Sequence, residues 1–257
     1  MRLSHILVAW AMLLPSMAWA ATYRLVTFEY PPYEYTENGE VKGMAVDIVR
    51  AAFKWMNHDV SIEVYPWSRC QMLFERGEVD GIFTFFQNDA RQAFTLFSKE
   101  TVVTQTISLW VLKHSRIEFN GDLTRLQAYN FGVTPKTSYG ERFDTAVKYD
   151  LIRTEAAQSI ESNILKLQKG RIDIWVSNRD GALHELKRLG LTHRVRELKQ
   201  PIQVVPAYVG FSRLRQHAAL RDQFDQAVAA LKLSGTYDAI VQKYLPLPDG
   251  RALVAHN

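Results

Sequence analysis

The chain carries the same local pattern in each of its halves. A helical period ends at Gly77, and three residues later Asp80 opens an apolar run. In residues 167–176 the pattern returns, with Gly170 and Asp173 in the corresponding places. Glycine after a helical period is typical of a helix end, and a short apolar run behind it is typical of a buried strand. Two such units predict two similar lobes of alternating helices and strands.

The coarse pattern along the chain is α/β and favours a mostly parallel sheet. Strands are predicted at 23–28, 61–65, 80–85, 106–112, 130–133, 151–154 and 172–176. Helices are predicted at 44–57, 68–76, 139–147, 159–169 and 180–189, followed by a long amphipathic helix that carries Leu220, Phe224, Val228 and Leu231. Two hinge crossings, near 103–106 and 203–205, divide the chain into lobe 1 (21–103 and 205–250), lobe 2 (104–204) and a tail (251–257).

The first twenty residues resemble a cleavable leader. Arg2 precedes an apolar run over 6–14, and Ala18-Trp19-Ala20 is typical of a cleavage site. A membrane anchor is the alternative, but Pro15 and Ser16 interrupt a run that is already short. Because no cysteine lies at the cleavage site to carry a lipid, we expect a free periplasmic protein rather than a lipoprotein.

Composition excludes several classes. Cys70 is the only cysteine, so no internal disulfide can form. We expect it to be buried and inert, the alternative being a reactive thiol. The net charge of +4 is spread along the chain, which does not indicate nucleic acid and is compatible with an anionic ligand. No motif for a metal, a cofactor, a phosphate loop or a hydrolytic nucleophile is present, so none of these is expected.

Four features together resemble one known family. Besides the paired units, they are Tyr30-Pro31-Pro32-Tyr33, the helix opening from Gly43 to Asp47, and residues 235–244 at the end of the last helix. They are similar to the bacterial periplasmic solute-binding proteins of the polar amino-acid type. The resemblance implies a two-lobed type II fold with two hinge crossovers and a ligand cleft between the lobes. It also implies a monomer that captures a small carboxylate-bearing molecule, an amino acid or related organic acid, for an inner-membrane ABC permease.

Arg91 is the candidate anion-binding residue. It follows a buried strand, and a guanidinium can give two of its hydrogen bonds to one carboxylate. A solvated loop arginine, or an ion pair with Asp89, is the alternative. The resemblance implies that the matching arginine binds the carboxylate of the ligand.

Aromatic and hydroxyl residues complete the candidate site in lobe 1. Tyr30 and Trp67 each follow a predicted strand, where an aromatic face can cover an apolar group or a cation, although ordinary core packing explains a lone tryptophan equally well. Strand alternation predicts Phe83 and Phe85 on one face, with Thr84 and Phe86 on the other. Since Phe86 stands where the family has a small hydroxyl residue, the pocket should be more aromatic than usual.

In lobe 2 the candidates are Thr137, Ser138 and Asn178. The first two precede a helix, where hydroxyl and N–H groups can meet an anion or simply cap the helix. The family commonly has an aspartate at the place of Asn178, which neutralises the ammonium group of the ligand. An amide cannot neutralise a buried cation, so the sequence argues against an ordinary α-amino acid unless Asp180 or Glu29 supplies the charge.

Two other functions share the scaffold. One is an enzyme, resembling the dehydratases or lytic transglycosylases of this fold, which needs a carboxylic acid in the cleft. Glu29 is the acid that the sequence places beside Tyr30, and it can equally face solvent. The other is a soluble sensor for a membrane receptor. We expect a binding protein without catalytic residues.

Overall fold

The computed structural model describes residues 21–135 and 137–245. The predicted leader (1–20), Lys136 and the predicted tail (251–257) lie outside the described residues. Within the two described ranges, no helix has the length and apolar character needed to cross a membrane.

Strands and helices alternate along most of the chain. The strands are β1 (Thr22–Thr27), β2 (Tyr35–Glu37), β3 (Glu40–Lys42), β4 (Asp59–Val64), β5 (Gly81–Phe86), β6 (Thr95–Phe97), β7 (Val103–Leu112), β8 (Asn130–Val133), β9 (Arg153–Ala156), β10 (Ile174–Asn178), β11 (Val195–Glu197) and β12 (Gln203–Ser212). The helices are α1 (Met44–Trp55), α2 (Trp67–Glu75), α3 (Asp89–Gln92), α4 (Glu141–Lys148), α5 (Ile160–Gln168), α6 (Arg179–Arg188), α7 (Ala218–Leu233) and α8 (Thr236–Tyr244).

One sheet passes through both lobes in the order β4-β1-β5-β12-β7-β10-β8-β9. β1 pairs in parallel with β4 and β5, and β8 pairs in parallel with β9 and β10. The long strands β7 and β12 pair antiparallel with each other, from Gln203 opposite Ile107 to Ala207 opposite Val103. The two-lobed fold with two crossovers is thus confirmed, while the residue bounds of the lobes stay a prediction.

The expectation of a mostly parallel sheet was wrong. β5 pairs antiparallel with β12, and β10 pairs antiparallel with β7. The reason is topological: the chain enters lobe 2 along β7 and returns along β12, so the two crossing strands run in opposite directions. Parallel pairing is confined to the strands that helices connect inside each lobe.

The prediction that Phe83 and Phe85 lie on one face of β5 was also wrong. Phe83 packs in the cluster of α1 and α7, whereas Phe85 packs with Cys70 and Phe74 on the opposite side of the sheet. The cause is Thr84, whose φ of 57° is left-handed and coincides with a register shift against β12. The extra residue of this bulge turns the side chains that follow it to the other face.

The turn at residues 30–34 is held tightly against the start of α1. Ala45 N–H donates to Tyr33 O at 2.9 Å. Gly43 has a φ of 131°, and a Cβ on it would lie 2.1 Å from Tyr33 O. Only glycine permits this approach, which fixes the two tyrosines of the turn at the edge of lobe 1.

Cys70 is fully buried, as the sequence predicts. Its Sγ donates to Thr27 O at 3.0 Å, and burial raises the pKa of the thiol to about 12. A thiol that stays protonated at neutral pH is a poor nucleophile.

Candidate functional site

A cavity of about 40 Å³ lies between the lobes. It is lined by Phe28, Tyr30, Trp67, Thr84, Phe86, Arg91, Gln105, Thr137 and Ser138. All the residues predicted for the site are in this lining except Asn178. The volume holds only a few water molecules, so a larger solute must enter while the lobes are apart.

Arg91 is a buried cation in this lining. Asn88 caps the short helix α3 by accepting from Arg91 N–H at 3.0 Å, and this fixes the direction of the side chain. The side chain is only 8% exposed, and its Nη1 donates to Phe86 O at 2.8 Å. The guanidinium carbon lies 4.3 Å from the ring centre of Phe85 and 5.5 Å from that of Trp67.

The charge of Arg91 has no described counterion. Among residues 21–135 and 137–245, no carboxylate lies within ion-pair distance of it, Asp89 included. Burial lowers the pKa of the guanidinium to about 10, against a partial opposing effect of Asp144 and Glu75. Arg91 therefore stays charged at neutral pH, with donors available for an anion.

Aromatic rings form the wall on the lobe 1 side. Phe28 stacks on Tyr30 with ring centres 5.1 Å apart, and its centre lies 4.9 Å from that of Trp67. Trp67 opens α2 directly after Pro66, which holds it at the end of β4. Sequence reasoning missed Phe28, although it follows β1 directly and stands two residues before Tyr30.

Gln105 is a second residue that sequence reasoning missed. It lies on β7 where that strand pairs with β12, it is 1% exposed, and it lines the cavity. Its Oε1 is buried without a described hydrogen-bond partner. The only sequence signal was a glutamine inside a strand that is otherwise apolar and threonine-rich. A buried, unpaired acceptor at the cleft can be satisfied by a ligand donor.

Glu34 lies behind the lining and was also missed. Its side chain is fully buried, Thr84 Oγ1 donates to its Oε2 at 2.7 Å, and its Oε1 has no described partner. Burial raises the pKa of this carboxyl well above its ordinary value, although contacts with Thr84 and Thr27 oppose the rise. Burial therefore favours the neutral form of Glu34, which lies beneath Thr84 and is not part of the cavity lining.

Thr137 and Ser138 line the lobe 2 side near the start of α4. Ser138 Oγ donates to Asp144, and Tyr139 N–H donates to the same carboxylate at 2.9 Å. The residue at the N-cap of α4 is Gly140, so Ser138 is not itself the cap. Its hydroxyl is instead oriented by a carboxylate one turn into the helix.

Asn178 is fully buried between the lobes, outside the lining. It ends β10 and caps α6, where its Oδ1 accepts from Gly181 N–H at 2.8 Å. Its Nδ2 donates to the hydroxyl of Tyr30 in lobe 1. A second hydrogen bond also joins the two lobes: Tyr33 Oη donates to Asp180 Oδ2 at 2.6 Å. Two tyrosines of one turn thus meet the beginning of α6 across the cleft.

The acids considered from sequence are engaged elsewhere. Glu29 is exposed and accepts from Thr36 N–H at 3.1 Å. Asp180 faces Tyr33, and neither acid lines the cavity.

A pocket with a buried arginine and aromatic walls lies between two lobes joined by crossing strands, which is the arrangement expected of a solute-binding protein. The chain belongs to the bacterial extracellular solute-binding proteins, family 3, whose model matches residues 25–247. The family predicted from sequence is therefore confirmed.

Particular relatives are distant. The chain is 25% identical, over 220 residues, to the arginine-binding periplasmic protein of Mannheimia haemolytica, with 84% of this chain and 87% of that protein covered. Its fold is similar to that of the substrate-binding protein of an amino acid ABC transporter, with a TM-score of 0.72, 21% identity and coverage of 88% and 100%. It is also similar to a histidine kinase sensor domain, with a TM-score of 0.75, 19% identity and coverage of 87% and 96%.

Proposed function

We propose that this protein captures a small carboxylate-bearing molecule in the periplasm and delivers it, as a monomer, to an inner-membrane ABC permease. The observation that carries the ligand class is Arg91, a buried guanidinium in the cleft without a described counterion. A ligand carboxylate would take its free donors, and the lobes would close on it by rotation about the paired strands β7 and β12.

Binding rather than catalysis is supported by the same lining. None of the described residues that line the cavity is acidic, and none of them is a histidine. An enzyme of the dehydratase or transglycosylase kind needs a carboxylic acid within reach of its substrate. Glu34 is shielded by Thr84, and Glu29 faces solvent.

Arg91→Ala tests the ligand class. We expect it to abolish binding of carboxylates, because a desolvated ligand charge left unpaired costs on the order of 2–5 kcal/mol. Arg91→Lys should also bind poorly, since a point charge does not reproduce the planar fork. Titration calorimetry measures both, with Arg76→Ala as the matched control, because Arg76 lies in the same lobe and its side chain is 64% exposed.

Unchanged affinity in both Arg91 variants, with the fold intact by circular dichroism, would refute the assignment. Delivery to a permease is tested separately, by uptake of a labelled ligand in cells with and without this protein. A sensor for a membrane receptor would leave uptake unchanged and alter the receptor output, a possibility to which the fold of the histidine kinase sensor domain draws attention.

A further inference from the structure

The charges around the cavity are one-sided. Among the described residues of the lining, Arg91 is the one cation, and none carries a negative charge. An ammonium group enclosed here would lose its hydration without gaining a charged partner, which is costly. A zwitterion would therefore have only its carboxylate compensated.

Each of the nearby acids accepts at least one hydrogen bond from a neighbouring residue. Glu34 accepts from Thr84, Asp180 accepts from Tyr33, and Asp144 accepts from Ser138 and from Tyr139 N–H. None of these three carboxyl groups is in the lining. Asn178 cannot substitute for them, because its amide is uncharged and it lies outside the lining.

One residue of the lining has a buried acceptor without a partner among the described residues. Gln105 Oε1 is buried and has no described partner, and the residue lies on a hinge strand at the cavity. An amide oxygen accepts a hydrogen bond from a neutral O–H group without charge compensation. The rings of Phe28, Tyr30, Trp67 and Phe86 leave apolar surface for the body of the ligand.

Building on the proposed function, we propose that the native ligand is a carboxylate without an ammonium group, whose second polar group is an uncharged donor such as an α-hydroxyl. Arg91 binds the carboxylate, Gln105 Oε1 accepts from the hydroxyl, and the aromatic wall covers the remainder. The cleft thereby selects hydroxy acids over the corresponding amino acids.

The test uses two series of ligands, and within each series the members differ only in the substituent on the α-carbon. Binding is measured by titration calorimetry. The first is propanoate, lactate and L-alanine, and the second is 3-phenylpropanoate, 3-phenyllactate and L-phenylalanine. In at least one series we expect the hydroxy acid to bind most tightly and the amino acid to bind at least about tenfold more weakly, the effect of one unpaired charged group. An amino acid that binds as tightly as its hydroxy analogue, or more tightly, would overturn the proposal.

Substitution of Gln105 tests the mechanism of this selection. Gln105→Met should remove the advantage of the hydroxy acid, and Gln105→Glu should reverse the order in favour of the amino acid. Gln223→Glu makes the same change on the exposed side of α7 and should leave the order as in the wild type. If Gln105→Glu does not fold, the order of ligand affinities in the wild type and in Gln105→Met still tests the proposal.

Arg91→Ala separates this inference from the proposed function. An amino-acid preference that depends on Arg91 would overturn the inference and leave the carboxylate-binding function standing. Binding of acids that persists in Arg91→Ala would overturn the function itself, and absence of binding in both series would overturn both.

Discussion

The bond between Tyr33 Oη and Asp180 Oδ2 should help to hold the lobes closed. It is 2.6 Å long, and it joins the turn at residues 30–34 to the first turn of α6. Tyr33 is fully buried, so Tyr33→Phe removes the hydroxyl and keeps the ring packed. Opening of the cleft would expose Asp180 to water, whereas closure in the variant leaves it buried without this donor.

The magnitude follows from the charge of the acceptor. A hydrogen bond to a charged group contributes about 1.5–3 kcal/mol net, and every 1.4 kcal/mol is a factor of ten in an equilibrium constant. Tyr33→Phe should therefore lower the ratio of closed to open protein by roughly 10- to 150-fold. Ligand affinity should fall in proportion to the lost closed population, up to the same factor.

Small-angle scattering without ligand measures the shift as an increase in radius of gyration, and calorimetry measures the loss of affinity. Tyr237→Phe is the matched control, because its hydroxyl donates to Val102 O at 3.0 Å and both residues lie on the lobe 1 side of the crossing strands. It should lower the melting temperature without changing the scattering. If Tyr33→Phe shows the scattering and the affinity of the wild type, the bond does not stabilise closure and the reasoning fails.

Two further predictions concern residues of the cavity and the layer beneath it. In the folded protein Glu34 has a pKa well above its ordinary value of 4.5, so the folded state retains a proton that the unfolded chain releases as the pH rises. The free energy of unfolding should therefore fall as the pH rises from about 4.5 towards the raised pKa. Glu34→Gln should remove this dependence in melting curves, and an unchanged slope would assign it to another group. Trp67 should change its fluorescence on ligand binding, and Trp67→Ala should weaken binding without a large loss of stability. A loss of several kcal/mol in the ligand-free protein would instead make Trp67 a core residue.

Much of the fold follows from patterns that are local in sequence. The strand at 130–133 was predicted with its observed bounds, and most helices were predicted to within two or three residues. Each of these elements has its own spacing of apolar residues and its own boundary residue, and Gly77 and Gly170 are examples of such boundaries. The strands β6 and β11 were not predicted, because each has three residues and exists only through pairing with a hinge strand.

Some residues of the candidate site could also be predicted from local sequence, and others could not. Arg91, Trp67 and Tyr30 could be proposed because each follows a strand end, where the topology of α/β proteins gathers side chains at one edge. Glu34 and Gln105 could not, because their roles depend on burial. Nothing local distinguishes the glutamate of Tyr33-Glu34-Tyr35 from a surface residue. In the structure it is fully buried and accepts from the hydroxyl of Thr84, a residue with a left-handed backbone that is distant in sequence.

Asn178 shows how far a residue type can be interpreted without its partner. From sequence alone, an amide in place of a carboxylate indicates a change in the ligand. In the structure its Nδ2 donates to the Tyr30 hydroxyl and its Oδ1 accepts from Gly181 N–H, so the same side chain also forms a contact between the lobes. The two consequences meet at one side chain, because an amide held by Tyr30 and by the helix start carries no charge that could compensate a ligand ammonium. A ligand without that group can then be enclosed while Tyr30 keeps both its bond to Asn178 and its place in the aromatic wall.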